Sequence, residues 1–416
     1  MYKNSFLLFF AFIATFQSFA QTTINDCYAK AQANYPLIKQ YGLIEKSKNY
    51  NLSNAAKGYL PQITFSAKAT YQSEVTEMPV KIDGIKGLSR DQYGATIDVS
   101  QVVWDGGAIK SKREIARTTS EVEKKSIEVD LYTINDRVNQ LYFGILLLTA
   151  QIEQNRLFQE ELQRNYDKIS SCVKNGIANQ ADLDAVKVER LKAVQIEIQL
   201  EYQKIAYLDM LSAMTGEIFN GSTVFVKPAE ISFINNTINR PEMELFDAKI
   251  RNFKAQNKEI NAALMPKLGV FITGGYGNPG LNMLKNGFSA YYIAGARLSW
   301  NLSGFYTNKN AKNLIQNNIN SVLTQQETFM LNTNMDISKK QHEINKYRAQ
   351  MKYDDEIIAL RTSVKRASEA KMENGTLSGI DLMRDVNAEE LAKQDKILHE
   401  IELLFAMHNL KFVVNF

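Results

Sequence analysis

The sequence predicts a mixed α and β fold with an internal two-fold repeat, in which four short strands close a membrane β-barrel only together with other copies and very long helices continue from them. Three observations carry this. Landmarks recur in order at an offset of about 200 residues, a period of two halves rather than of a solenoid. Segments of about ten residues alternate polar and apolar side chains. Two segments of more than about 60 residues have almost no Pro or Gly to stop a helix, and the first carries a heptad seam.

The repeat is read from matching pairs. Leu60-Pro61-Gln62 answers to Met265-Pro266-Lys267, and Val103-Trp104-Asp105-Gly106-Gly107 to Asn301-Leu302-Ser303-Gly304-Phe305. Asn175-Gly176 and Asp182-Leu183 answer to Asn374-Gly375 and Asp381-Leu382. The expected organisation is a signal peptide over 1–20, a first helix-strand-strand-helix repeat over 21–215, a linker over 216–240 and a second repeat over 241–416. The barrel segments fall at 60–105 and 265–303.

The chain opens with Lys3, an apolar run from Phe6 to Ala14, and Ser18-Phe19-Ala20 as a small-residue cleavage site that leaves Gln21 first. Nothing before Cys27 resembles a lipid-anchor signal. In the first half a helix is expected from Asn25 to Lys57, strands at Gln62 to Tyr71 and Tyr93 to Trp104, and a long helix from Ala108 to Lys174. A loop over Gly176 to Ala181 leads to a return helix from Asp182 to Thr215. The second half repeats this: helix from Pro241 to Leu264, strands at Leu268 to Tyr276 and Ser289 to Leu302, long helix from Thr307 to Glu373. The loop Gly375 to Ile380 and a helix from Asp381 to Asn409 complete it.

Composition narrows the class. Of 416 residues, 45% are apolar and 23% charged, with a net charge of +4. Such a chain is neither disordered nor a polytopic helical membrane protein. No block of like charge suggests nucleic acid. After the signal, no stretch is apolar enough for a membrane-spanning helix, so entry into a membrane requires strands. The two cysteines, Cys27 and Cys172, are expected to be free. Their levels along neighbouring helices differ by roughly 45 Å at 1.5 Å per residue, and a bridge needs Cα atoms within about 7 Å.

The strands have two faces. Ile63, Phe65, Ala67, Ala69 and Tyr71 share one side, and Thr64, Ser66, Lys68 and Thr70 the other. Tyr292, Ala294, Ala296, Leu298 and Trp300 oppose Arg297, Ser299 and Asn301. This suits a barrel wall, but taken alone it favours a half-buried strand in a soluble sandwich, because the alternation of a single barrel strand is a weak signal. The helices decide between them. Ile127, Ile134, Leu141 and Leu148, with Leu131, Val138, Ile145 and Ile152, form an a/d seam. Leu191, Val194, Ile198, Ile205 and Leu208 make a similar stripe on the return helix. A helix of about 65 residues spans roughly 100 Å. Four strands cannot close a barrel, and open edges do not survive in lipid, so a symmetric ring of copies is required.

Tyr59-Leu60-Pro61-Gln62 and Ser100-Gln101-Val102-Val103-Trp104-Asp105-Gly106-Gly107 resemble signatures of the TolC-like outer-membrane efflux proteins. So do Gly176 with Asp182-Leu183, its repeat at Gly375 with Asp381-Leu382, Leu211-Ser212-Ala213-Met214-Thr215-Gly216, and Arg240-Pro241-Glu242. The resemblance covers the whole mature chain. It implies a homotrimer with a 12-stranded barrel in outer-membrane lipid and a helical barrel through the periplasm. It also implies a passive duct for small molecules or polypeptides, opened by a periplasmic adaptor protein and powered by an inner-membrane transporter, with no cofactor and no enzymatic activity.

The turns between long helices are the candidate sites. Asn179 and Asp182, and Ser378 and Asp381, have the spacing of helix capping boxes. Gly176 and Gly375 are expected to end the long helices in left-handed conformations. The resemblance implies adaptor docking at Gly176, Ile177, Asn179, Gly375, Thr376, Leu377 and Ser378, and a pore constriction at Asp381, Arg384 and Asp182. Three symmetry-related carboxylates would focus cations. The family's acidic ring matches Asp381, but its second acidic position is Arg384 here. That residue can pair with Asp381 at i,i+3 and leaves the selectivity open. Thr376-Leu377 replaces the family's basic residue after the second glycine, so any gate latch differs. Gly106-Gly107 and Gly304 are read as backbone hinges. Trp104, Trp300, Tyr291 and Tyr292 suit either an interfacial girdle or barrel packing.

Two motifs are decoys. Gly275-Tyr276-Gly277-Asn278-Pro279-Gly280 has the spelling of a dinucleotide loop, but Pro279 and Gly280 forbid the helix that must follow. His399-Glu400-Ile401-Glu402-Leu403 lacks the second histidine of a zinc protease. The rival reading is a periplasmic coiled-coil structural or adaptor protein.

Overall fold

Residues 21–76, 87–231 and 237–415 are described by a computed structural model. The signal peptide expected at 1–20 lies outside the described residues, as do parts of the first barrel segment and of the linker. The elements are α1 (Ile24–Asn34), α2 (Gln40–Ala56), β1 (Gln62–Tyr71), β2 (Asp91–Trp104), α3 (Ala108–Lys174), α4 (Gln180–Thr215), α5 (Pro241–Ala263), β3 (Lys267–Asn278), β4 (Ser289–Ser299), α6 (Gly304–Glu373) and α7 (Gly379–Val414). They form two units. A strand unit takes residues 39–130 and 240–331, and a helical unit holds α1, α4, α7 and the remainders of α3 and α6.

The expected helix from Asn25 to Lys57 is broken. Pro36 lacks an N–H and disfavours helical backbone before it, so Tyr35 is extended (φ −64°, ψ 130°). A 3-10 turn, Pro36–Lys39, intervenes before α2. Of the other expected helices, α3 forms over its expected span, Ala108–Lys174, and the rest form with ends shifted by a few residues. α6 begins at Gly304 and α7 runs from Gly379 to Val414, rather than from Thr307 and from Asp381 to Asn409.

In the strand unit, β1-β2-β3-β4 make one antiparallel sheet. Register sorts its side chains strictly, because directly paired residues share a face. One face carries the rows Ile63–Val99–Ile272–Ala294 and Phe65–Ile97–Gly274–Tyr292. The other carries Thr64–Asp98–Thr273–Ile293 and Ser66–Thr96–Gly275–Tyr291. Tyr291 therefore leaves the apolar face, contrary to the girdle reading, and lies over Gly275, where a Cβ would sit 2.3 Å from its ring. A β-bulge between Val102 and Trp104 restores Trp104 to the apolar side opposite Leu268. Every residue of β1 is exposed, and β1 and β4 end the sheet unpaired.

The turn into α3 needs two left-handed glycines, Gly106 (φ 69°) and Gly107 (φ 90°). Gly304 is different: it is already helical, with Leu264 packed so that a Cβ would meet it at 3.1 Å. It is not a hinge of the kind expected.

The heptad seam of α3 forms as read, with none of its eight residues more than 7% exposed. The α4 stripe does not pack as expected. Leu208 is buried, but Leu191, Val194, Ile198 and Ile205 remain 41–59% exposed. Cys27 and Cys172 are free. Burial lifts the Cys27 thiol pKa to about 12.

Candidate functional site

Both interhelical turns in the helical unit are built alike. At the end of α3, the Gly176 N–H donates to Val173 O (3.1 Å) and the Ile177 N–H to Cys172 O (2.9 Å). At the end of α6, Gly375 donates to Met372 O and Thr376 to Lys371 O, both at 2.9 Å. This paired closure is the Schellman arrangement, which needs a left-handed residue after the last turn. Gly176 (φ 73°) and Gly375 (φ 70°) supply it.

The restarts differ. Asn179 and Asp182 complete a full capping box: Asn179 Oδ1 accepts from the Asp182 N–H (2.9 Å), and Asp182 Oδ2 from the Asn179 N–H (3.2 Å). Ser378 Oγ accepts from the Asp381 N–H (3.1 Å) but donates its own proton to the Asp381 carboxylate (2.8 Å). The α7 cap is therefore closed between side chains and leaves the Ser378 N–H outside it.

Asp182 ties the two turns together. Its Oδ1 accepts from the Gly379 N–H at 2.6 Å. A Cβ on Gly379 would stand 2.7 Å from Asp182 Cβ, so only glycine allows the approach. Asp182 is 5% exposed, and both its oxygens are held by backbone donors. Of the two turn carboxylates expected at a constriction, Asp182 is thus buried and only Asp381 stays open to solvent. That carboxylate is about half exposed, with Arg384 Nη1 at 3.9 Å.

Beneath the turns lies a core of Phe158, Leu162, Ile169, Val186, Met372 and Leu382 with their neighbours. Leu377 packs against it, as does Ala178. Of the expected docking residues, Gly176, Ile177, Asn179, Gly375 and Thr376 are exposed, while Leu377 and Ser378 are half-buried. The sequence reading missed Gly379 and the exposed Ile380, 59% accessible. A glycine as the first residue of a helix was the available signal for Gly379, since it costs helix stability unless something approaches closely.

Farther along the helices is a charged cluster also unread in the sequence. Lys365 Nζ meets the Glu161 carboxylate and Glu389 Oε2 (2.5 Å), and Lys393 adds a contact to Glu389 at 3.3 Å. Burial opposes the Glu389 charge, yet hydrogen bonds from Lys365 and Thr362 bring its pKa below the usual value. Its neighbour Glu390 goes the other way, because burial outweighs the hydrogen bonds from Gln154 and Gln394. Among the described residues no group of His, Cys, Asp and Glu is arranged to hold a metal ion.

Residues 27–217 match the family model described as Outer membrane efflux protein. Among solved structures, the chain is similar to a membrane protein from Pseudomonas aeruginosa (TM-score 0.71, 13% identity, covering 94% of this chain and 90% of that one). It is similar to the outer membrane protein VceC from Vibrio cholerae (0.69, 11%, 94% of both chains). The open-state MtrE outer membrane channel of Neisseria gonorrhoeae also matches (0.67, 10%, 94% of this chain and 88% of that one). No curated protein matches by sequence.

Proposed function

We propose that the chain, whose residues 27–217 match the Outer membrane efflux protein family model, is a trimeric, non-enzymatic channel of the outer membrane that extends into the periplasm and serves as the exit duct of a tripartite export system. In this reading a periplasmic adaptor docks on the turns bearing Gly176, Ile177, Gly375 and Thr376, and an inner-membrane transporter supplies the energy. Asp381, partly offset by Arg384, marks the entrance.

The observation that carries the reading is a four-stranded sheet with β1 exposed along its whole length and both edges open. In water such a sheet would aggregate or slip. Three copies side by side supply the missing neighbours, and lipid covers the apolar face. The aromatic residues support the same placement. Tyr71, Tyr93 and Tyr276 cluster at one end of that face, with Phe288 stacked on Tyr93 and Tyr276. Trp104, opposite Leu268, and Trp300 stand near the other end. From Tyr93 to Trp104 the strand advances roughly 36 Å. At a tilt of about 45° this rises some 25 Å, the height of the apolar band of an outer-membrane barrel.

The test is fractionation followed by crosslinking. Outer-membrane extracts should contain a heat-modifiable trimer, and photocrosslinkers at Ile177 and Thr376 should capture a periplasmic protein. These two positions serve better than Asn179 and Ser378, whose side chains cap helices. A soluble periplasmic monomer would instead support the rival coiled-coil reading.

A further inference from the structure

The polar face of the sheet carries an unbalanced charge. Register places Lys68, Asp98, Arg297 and Lys267 on it, on four different strands. Lys68 pairs with Gly94 and extends across it, with Cε 3.5 Å from where a Cβ would be. Arg297 lies over the Phe271 ring at 4.7 Å. The Asp98 carboxylate accepts from the Thr273 hydroxyl. Among the described residues, none of the three cations is ion-paired with a carboxylate.

The levels are ordered along the strands. Lys68 stands in the row with Gly94, Gly277 and Ser289, toward the β1-β2 connection. Asp98 stands in the row with Thr64, Thr273 and Ile293, four residues farther along, or roughly 13 Å. Arg297, opposite Gly269, lies as far again on the other side, and Lys267, opposite Ser299, lies two residues beyond it. Basic levels therefore lie on both sides of one acidic level, one on the Lys68 side and two on the other, and together they hold three cations for each carboxylate. In a ring of copies every level repeats around the pore.

We infer that the strand barrel favours anions, so that the cargo leaving through it is negatively charged. This rests on the duct reading, which turns the polar face inward. Rings of Lys and Arg without counter-charges raise the local concentration of anions in a narrow passage with low-dielectric walls. The Asp98 level lowers this preference without reversing it, and the aromatic seat of Arg297 holds its guanidinium against the wall.

The experiment is a reversal-potential measurement on purified trimers in planar bilayers under a potassium chloride gradient. Wild-type protein should give a potential on the chloride side of zero. Lys68→Gln, Lys267→Gln and Arg297→Gln together should move it toward the potassium limit, and Asp98→Asn should move it the other way. Because these side chains lie on the solvated face, heat-modifiable trimer on gels serves as the folding check for each variant. Conducting trimers whose potential lies on the potassium side, or does not move with these substitutions, would overturn the inference and leave the duct intact. Protein that forms neither trimers nor conductance would instead remove the duct itself.

Discussion

Asp182 and Gly379 stand at corresponding turns of the two repeats and are joined by a 2.6 Å hydrogen bond from the Gly379 N–H to the Asp182 carboxylate. Both residues are buried. The bond makes the two turns one mechanical element. Asp182→Ala leaves the Gly379 donor buried without an acceptor, at a cost of about 1–3 kcal/mol. The expected outcome is faster amide exchange over 176–182 and 375–382 together. Gly379→Ala should act in the same direction, because its Cβ collides with Asp182. Loosening confined to the mutated turn would contradict the coupling.

His408 predicts a specific acid sensitivity. It is 5% exposed, both ring nitrogens lack a hydrogen-bond partner among the described residues, and its ring packs on Phe143 at 5.0 Å between centroids. Burial, with a smaller contribution from the Lys411 charge, lowers its pKa from 6.5 to about 4. The folded pKa is depressed, so the unfolded chain binds the proton first. Stability present above pH 6.5 is lost as pH falls, and the loss is complete near pH 4. Its size is about 3 kcal/mol at one pKa unit per 1.36 kcal/mol. His408→Leu should flatten this part of the pH dependence of thermal unfolding. Glu390, raised by burial, contributes with the opposite sign and stays in the background of both proteins.

The Lys365 cluster predicts an asymmetry between single and paired substitutions. Lys365→Met leaves Glu389, 2% exposed, with Lys393 as its remaining cation. Removing one member of a buried pair costs about 3–5 kcal/mol. Adding Glu161→Gln and Glu389→Gln should recover much of that loss in denaturant unfolding. Equal destabilisation in the single and triple variants would show that the charges do not act on one another.

The α4 stripe predicts separation of folding from assembly. Ile198 and Ile205 are about half exposed, so Ile198→Asp and Ile205→Asp should leave helix content unchanged. If another copy covers the stripe, each loses about 1.5–3 kcal/mol of apolar burial per interface and adds a charge there. Light scattering on detergent-solubilised protein should then report a shift from trimer to monomer.

What was legible in the sequence was local. Heptad spacing located the α3 seam, and the Asn179–Asp182 spacing gave the cap of α4, because both depend on contacts within a few turns. The same spacing rule overreached at Ser378, where the carboxylate meets the hydroxyl instead of the backbone. Periodicity alone did not tell which neighbour covers a stripe: α3 and α4 read alike, yet one faces its own chain and the other does not. The Asp182–Gly379 bond joins residues far apart in sequence, and no local pattern announces it. The break at Pro36 was readable from proline's missing donor and was passed over in favour of the flanking helical pattern.

The bulge beside Val103 has a consequence for how the strand tolerates change. Side chains alternate in a strand, so one residue added or removed exchanges what faces oil and what faces water for everything beyond it. The extra residue absorbs one such step just before the chain turns into α3, and Trp104 keeps company with Leu268. Deleting Val103 would remove only the extra residue and leave the indole next after Val102, still opposite Leu268, whereas a deletion between Tyr93 and Val102 would exchange the faces of the residues on one side of it.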